Sequence, residues 1–339
     1  MAQGKITMIN NGSTVGVVCE DNRLILTWIK GGDVKKSICA DLGDNIIDGS
    51  NIKSHHLFAS FLKETLKEHG ISAKFAAYAI PGELVFTRNV RLPRMSEEQL
   101  RINIPFEFRD FIQGELKEYV FDYAYIPDAN KDTSHDDSVK LFLAAIPRSY
   151  LEEITETFRM AGLKLVKAAP EFCTYESLIR LLMTKEEREK ERCFLDIGRS
   201  NSRMMIFKDG HYKLMHLLDV GMRQIVMAIA DEMNVDEHLA STYLDTKYEG
   251  CDKLPEVEKV YKKISIEVLK GINFYEVSDV SARLEDMTLC GGGATVEPLV
   301  ELLKKRVTLN VTTMNELLPA WNSNGDLNIT GTSLGIVVE

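Results

Sequence analysis

The stretch Phe194-Leu195-Asp196-Ile197-Gly198-Arg199-Ser200-Asn201-Ser202-Arg203-Met204-Met205-Ile206-Phe207 decides the fold. It reads as an apolar strand, an Asp-x-Gly turn, small polar residues and a second apolar strand. A tight turn of small residues offers backbone N–H groups to a phosphate. The Asp196 carboxylate beside it has the chemistry to orient a hydrated Mg²⁺. Alone, such a turn is more often a plain hairpin. The chain echoes it: Ile9-Asn10-Asn11-Gly12-Ser13-Thr14-Val15-Gly16-Val17-Val18 aligns with Leu195 to Met204 without a gap, and Asn10 takes the place of Asp196.

Around this stretch, 339 residues suffice for two domains or one large two-lobed domain. A hydrophobic fraction of 45% with 27% charged residues is ordinary for a soluble globular protein. The formal net charge of −10 argues against a general nucleic-acid-binding surface. Cys19, Cys39, Cys173, Cys193, Cys251 and Cys290 form no CxxC pair. Cys19, Cys193 and Cys290 sit in apolar, strand-like runs, so reduced core thiols in a cytosol are expected. Met1 to Asn11 lacks a basic-then-apolar signal layout. No run approaches the ~18 apolar residues of a spanning helix. Any membrane contact is therefore expected to run through a partner.

In chain order, strands are expected at Lys5–Ile9, Val15–Cys19, Leu24–Ile29 and Val34–Cys39, with Asn11-Gly12 and Asp21-Asn22 as turns. A helix follows at Ser54–His69, closed by Gly70. Its histidines, with His55 and His56 adjacent, make no metal set. Ser96-Glu97-Glu98-Gln99 opens a helix with a capping-box pattern, and Pro105 kinks or resets it. The apolar run with Phe106, Phe108 and Phe111 reads as core first and partner groove second. Glu118–Ile126 and Val139–Ile146 are strands flanking a polar loop, Pro127–Asp137. The charge run Lys185 to Arg192 marks the join before the second half.

In the second half, Met287-Thr288-Leu289-Cys290 runs straight into Gly291-Gly292-Gly293-Ala294-Thr295 and a helix, Val296–Arg306. Strand, glycine turn and helix let backbone approach a ligand and let a helix N-terminus face anionic groups. Three glycines carry a high entropy cost, which favours ligand contact over a plain turn. The last expected strand is Leu334–Val338.

Three phosphate- or nucleoside-type turns thus stand at 9–14, 195–200 and 289–295. Their arrangement resembles the actin-like ATPase superfamily: actin, sugar kinases, heat-shock chaperone ATPases and FtsA. More closely, nearly the whole chain resembles the PilM family, the cytoplasmic actin-like proteins of type IV pilus assembly. Ala79-Ile80-Pro81-Gly82, Arg91-Leu92-Pro93, Ser96 to Leu100, Phe121-Asp122-Tyr123, Ala161-Gly162-Leu163-Lys164 and Leu289 to Ala294 carry that resemblance in their order and spacing. It implies an α/β, actin-like ATPase fold of two duplicated lobes with a small inserted subdomain of the FtsA and PilM type. The first lobe would hold 1–81, 148–190 and 326–339, the subdomain 82–147 and the second lobe 191–325.

The resemblance also implies ATP between the lobes. Asn10, Gly12, Ser13 and Thr14 match the first phosphate loop, and Asp196, Gly198, Arg199 and Ser200 match the second. Gly291, Gly292, Gly293 and Ala294 match the adenosine loop, and Glu267 and Lys270 match the purine and ribose side. Mg²⁺ would sit near Asp196 and Asn10 through water. Asn10 replaces the family's first-loop aspartate, the Lys that commonly follows that loop is missing, and Val220-Gly221 stands for a Gly-Gly pair. Losing a charge at Asn10 weakens Mg²⁺ binding. A binding protein with weak or absent hydrolysis is expected, its membrane partner docking an N-terminal cytoplasmic tail (PilN-like) between first lobe and subdomain. It would sit in the cytoplasm against the inner face of the membrane. The alternatives are an active ATPase or kinase, with Glu171 as a candidate base, and an FtsA-like filament-forming division protein. The strand-like end of the chain disfavours the last.

Overall fold

The structure is a computed structural model describing residues 12–20, 22–43, 45–48, 51–126, 138–279, 282–319, 321 and 325–338. The expected strand Lys5–Ile9, Asn10 and the loop Pro127–Asp137 lie outside the described residues. The first lobe opens with an antiparallel meander, β1 (Ser13–Glu20), β2 (Arg23–Lys30) and β3 (Asp33–Asp41). A two-stranded ribbon, β4 (Ile47–Asp48) and β5 (Asn51–Ile52), leads to α1 (His55–Glu68). β6 (Phe75–Ile80) pairs parallel to β1. The chain then leaves the lobe for a three-stranded sheet of β7 (Phe86–Pro93), β8 (Tyr119–Ile126) and β9 (Ser138–Pro147), in the order β7-β9-β8.

On this small sheet α2 (Glu97–Asn103) and the tighter turn Ile104–Phe108 place Leu100, Ile104, Phe108 and Ile112 against Leu141, Leu143 and Ala145. Pro105 sits where the α-helix gives way, because it has no N–H to continue the ladder. Ile102, Phe106 and Phe111 point away and are exposed, so only part of this apolar run is core.

The chain returns through α3 (Arg148–Met160), β10 (Lys164–Pro170), α4 (Phe172–Leu182) and α5 (Lys185–Glu189). The first sheet is ordered β10-β6-β1-β2-β3. Residues of β1 alternate between two cores. Val15, Val17 and Cys19 pack toward α1 and α3, whereas Val18 packs toward the centre of the molecule. Burial on both faces is why the strand reads as a continuous apolar run.

The second lobe repeats the plan. β11 (Glu191–Ile197), β12 (Ser202–Lys208) and β13 (His211–Leu218) form its meander. α6 (Met222–Met233), α7 (Glu237–Thr246) and α8 (Pro255–Ser278) lead to β14 (Leu284–Cys290), α9 (Glu297–Arg306), β15 (Asn310–Thr313) and α10 (Met314–Leu317). Its order, β13-β12-β11-β14-β15, is that of the first sheet. Between the sheets lies a shared core of α4, α11 (Leu327–Gly335) and strand residues including Phe194, Phe207 and Cys290. Cys19, Cys193, Cys251 and Cys290 are buried, and all six cysteines are free thiols.

Two expectations are corrected. Residues 334–338 do not form the final strand, because Leu327–Gly335 is a helix. Its β-branched, Gly- and Ser-rich sequence lacks helical amphipathicity because it is buried on nearly every side. Asp326 starts it by accepting the Asn328 N–H at 3.0 Å. The meander is also displaced. Ser13 and Thr14 lie inside β1, and the cross-strand pair equivalent to Ile197–Ser202 is Glu20–Arg23, next to Asn22 at φ 60°. The duplication is real, its first-lobe hairpin closes at the expected turn residue Asn22, and Asn11 lies outside the described residues.

Candidate functional site: the cleft between the lobes

The two hairpin turns face each other across a cleft of about 540 Å³, within the range of ligand pockets. Glu20, Arg23 and Asp41 line it from the first lobe. Gly198, Arg199, Gly291 and Gly292 line it from strand ends of the second, and Arg223, Glu237 and Asp245 from α6 and α7. Arg23 Nε lies 3.5 Å from Asp41 Oδ1. Arg223 Nε donates to Glu237 Oε1 at 2.8 Å, and Arg199 Nη2 lies 3.7 Å from the same oxygen. Arg223, helped by Arg199, holds the Glu237 carboxyl below its usual range. Burial pushes the Asp245 carboxyl up.

At the base of the cleft one guanidinium gathers three carboxylates. Arg203 Nη1 donates to Glu171 Oε2 at 2.9 Å and Oε1 at 3.1 Å. Arg203 Nη2 donates to Glu20 Oε2 at 2.6 Å and to Asp196 Oδ2. The β11–β12 hairpin sets this up, since Asp196 and Arg203 are cross-strand partners. Three carboxylates against one cation leave an excess of negative charge. Burial raises the Glu171 carboxyl above its usual range against the opposing pull of Arg203.

This raised carboxyl makes a pH prediction. Below the ordinary value of 4.5, Glu171 is protonated in both folded and unfolded chains. As pH rises past it, the unfolded chain releases the proton first and stability falls. In urea unfolding, the stability difference between wild type and Glu171→Gln is expected to shrink from pH 4.5 toward neutrality. A difference that grows with pH would contradict this account.

The Mg²⁺ that the resemblance implies does not fit these residues. Asp196 is bonded to Arg203 through Oδ2, and its Oδ1 is buried against Gly291, where a Cβ would stand 2.2 Å away. Among the described residues, no three His, Cys, Asp or Glu side chains are arranged to hold a metal ion. Backbone donors expected for phosphate are also engaged. Gly198 N donates to Asn201 O at 3.1 Å and Gly291 N to Asn328 O at 2.7 Å.

Of the residues singled out from the sequence, Gly198, Arg199, Gly291 and Gly292 converge on the cleft, with Asp196 directly behind them. Ser200 shares their turn without lining the cleft. Gly293 and Ala294 are buried, and a Cβ on Gly293 would meet Ile197 Cγ2 at 2.3 Å. The glycines at 291 and 293 thus answer to packing, and Gly291 and Gly292 are the two that line the cleft. Gly12, Ser13 and Thr14 do not reach it. They lie at the opposite end of β1 from Glu20, where Ser13 Oγ donates to Ser72 O at 2.9 Å. Asn10 lies outside the described residues. Glu267 and Lys270 form an i,i+3 pair at 2.8 Å on α8 and do not line the cleft, whose far wall is α7.

Arg203, Glu20, Arg23 and Glu237 were not singled out from the sequence. Arg203 was accessible in part, because a lone arginine on an apolar strand falls opposite Asp196 once the hairpin is registered. Glu20 and Glu171 come from elsewhere in the chain, and only tertiary structure brings them to it.

Solved structures confirm the architecture. The chain aligns with a PilM-PilN type IV pilus biogenesis complex at TM-score 0.77 and 19% identity, covering 97% of this chain and 100% of the other. It aligns with the ethanolamine utilization protein EutJ of Carboxydothermus hydrogenoformans at TM-score 0.57 and 13% identity, covering 99% and 94%. Component A of the Acidaminococcus fermentans (R)-2-hydroxyglutaryl-CoA dehydratase aligns at TM-score 0.50 and 11% identity, covering 96% of each chain. A comparison with curated protein sequences gives no match. These likenesses establish an actin-like ATPase fold. The family model for type IV pilus assembly protein PilM matches residues 30–322. The chain belongs to the PilM family of type IV pilus assembly proteins.

Proposed function

We propose that this protein is a scaffold of the inner-membrane assembly platform of a type IV pilus or related secretion system. It binds the N-terminal cytoplasmic tail of a PilN-like membrane protein where the first lobe meets the small subdomain. Family membership supports the setting. The observation that carries the docking surface is the exposed apolar set on the subdomain: Ile102, Phe106 and Phe111 are 66%, 52% and 55% exposed. Arg109 lies over the Phe106 ring at 5.0 Å and Arg88 over the Phe111 ring at 4.5 Å, holding the aromatics outward. Apolar pockets with backbone hydrogen bonds are a recurring way to hold an extended peptide. Among the described residues no helix is long and apolar enough to cross a membrane. Such a tail would hold the protein in the cytoplasm at the membrane's inner face.

ATP between the lobes stays in this proposal on the strength of Gly198, Arg199, Gly291 and Gly292, with Arg23, Arg199 and Arg223, each facing a carboxylate, as the cations that line the cleft. Hydrolysis is weak or absent, since Asp196 is committed to Arg203. That same commitment removes the support for an active ATPase or kinase. α11 is buried between the lobes and offers no amphipathic membrane-binding face of the FtsA type.

Titration with the synthetic cytoplasmic tail of a PilN-like protein tests the docking. Wild type is expected to bind. Phe106→Ser with Phe111→Ser is expected to weaken binding by about tenfold or more, as for aromatic anchors at other interfaces, with the circular dichroism spectrum unchanged. A wild type that does not bind the tail, with or without ATP, refutes the proposal.

A further inference from the structure

Glu20 closes β1 in the first lobe, Glu171 precedes α4 between the lobes, and Asp196 stands near the end of β11 in the second. Their side chains are 13%, 10% and 2% exposed, and that of Arg203 is 18% exposed. Carboxylates drawn from separate elements to one buried point require a cation there. Convergence of this kind is what a divalent ion uses, yet the cation present belongs to the chain. The planar guanidinium meets Glu171 with both carboxylate oxygens and still reaches the other two acids, a reach that lysine's single point charge lacks. Asp196 Oδ1, buried and without a hydrogen-bond partner, is the one oxygen of its carboxylate left over, and the Gly291 backbone closes over it.

We infer that the Arg203 guanidinium is the resident cation of the interlobe cleft, standing where a divalent metal would neutralise Glu20, Glu171 and Asp196 and tying the first lobe to the second without metal. A bound metal exchanges with solvent and follows its nucleotide; a side chain does neither. Closure of the two lobes is therefore a fixed property of the chain and does not follow metal state. The inference stands apart from the tail-docking proposal, because it concerns the base of the cleft and needs no partner.

Thermal unfolding and small-angle X-ray scattering of the full chain in EDTA, Mg²⁺ and Mn²⁺, each with and without ATP, provide the test. The wild-type unfolding midpoint and radius of gyration are expected to be the same in all three metal conditions. Any shift given by ATP is expected to be equal in EDTA and Mg²⁺. Arg203→Gln is expected to lower the midpoint in EDTA by roughly 5–10 °C. Mg²⁺ or Mn²⁺ should restore part of it, since the three carboxylates then face one another without the guanidinium. A wild-type shift with divalent ion that disappears in Asp196→Asn overturns the inference, as does an Arg203→Gln protein indifferent to divalent ions. If Arg203→Gln is insoluble, the wild-type series decides alone. Arg203→Lys, which keeps the charge, is then expected to fold with a lowered midpoint.

Discussion

Arg203→Leu is expected to destabilise the fold by about 3–5 kcal/mol, the usual cost of removing one partner of a buried ion pair. The estimate rests on what remains. Glu20, Glu171 and Asp196 would share a desolvated site without the guanidinium that gathers them, and Asp196, at 2% exposure, has no route to water. Leucine supplies apolar volume, so the loss is electrostatic and not a cavity effect. Neutralising the acids in the same background should therefore return stability. Arg203→Leu combined with Glu20→Gln, Glu171→Gln and Asp196→Asn is expected to be more stable than Arg203→Leu alone by urea unfolding. Strong non-additivity is the signature, because the four side chains form one network. An Arg203→Leu chain as stable as wild type would show that the cluster is solvated and carries no structural charge.

Gly16→Val is expected to cost about 3 kcal/mol or more, at the upper end of overpacking effects. Gly16 sits mid-strand in β1, directly beneath the end of α11, and a Cβ there would stand 1.9 Å from Ser333 O and 3.0 Å from Ile336 Cγ2. The neighbour is helix backbone, so no rotamer change relieves the contact. Pushing α11 away would also break the buried bond between Thr27 Oγ1 and Ser333 Oγ, 2.7 Å, and disturb the linked Thr27–Ser37 pair. α11 belongs to the core shared by both lobes, so its displacement should loosen the lobes together. Gly31→Ala is the contrast. Gly31 has φ 65° and nothing within 4 Å of an added Cβ, so backbone strain alone predicts about 1–2 kcal/mol. Chemical denaturation of both variants checks the order; a Gly16→Val cost no greater than that of Gly31→Ala would mean that α11 gives way freely.

Much of the fold could be read before any coordinates. The Phe194–Phe207 hairpin, the amphipathic helices and the glycine run after Cys290 all lie where local pattern put them, because hydrophobic period and turn chemistry are local quantities. The failures have physical causes. The gapless alignment of Ile9 to Val18 with Leu195 to Met204 is off, since the counterpart of the Ile197–Ser202 pair is Glu20–Arg23, beside the expected turn residue Asn22, because pairing of β1 with both β2 and β6 sets the register. Leu327–Gly335 has strand-like composition yet is helical, because burial between two sheets removes the polar face that marks a surface helix.

The same division runs through the site. Asp196, Gly198, Arg199, Gly291 and Gly292 are legible as a turn and a glycine run, and the last four meet at the cleft with Asp196 behind them. What they can bind depends on residues that no local pattern connects. Glu20 and Glu171 reach Arg203 from 183 and 32 positions away. Local pattern and turn chemistry suffice to read a duplicated, actin-like chain with an inserted subdomain. That Asp196, Glu20 and Glu171 share one internal guanidinium emerges only in three dimensions, because charge compensation at a buried point depends on distance in space and not along the chain.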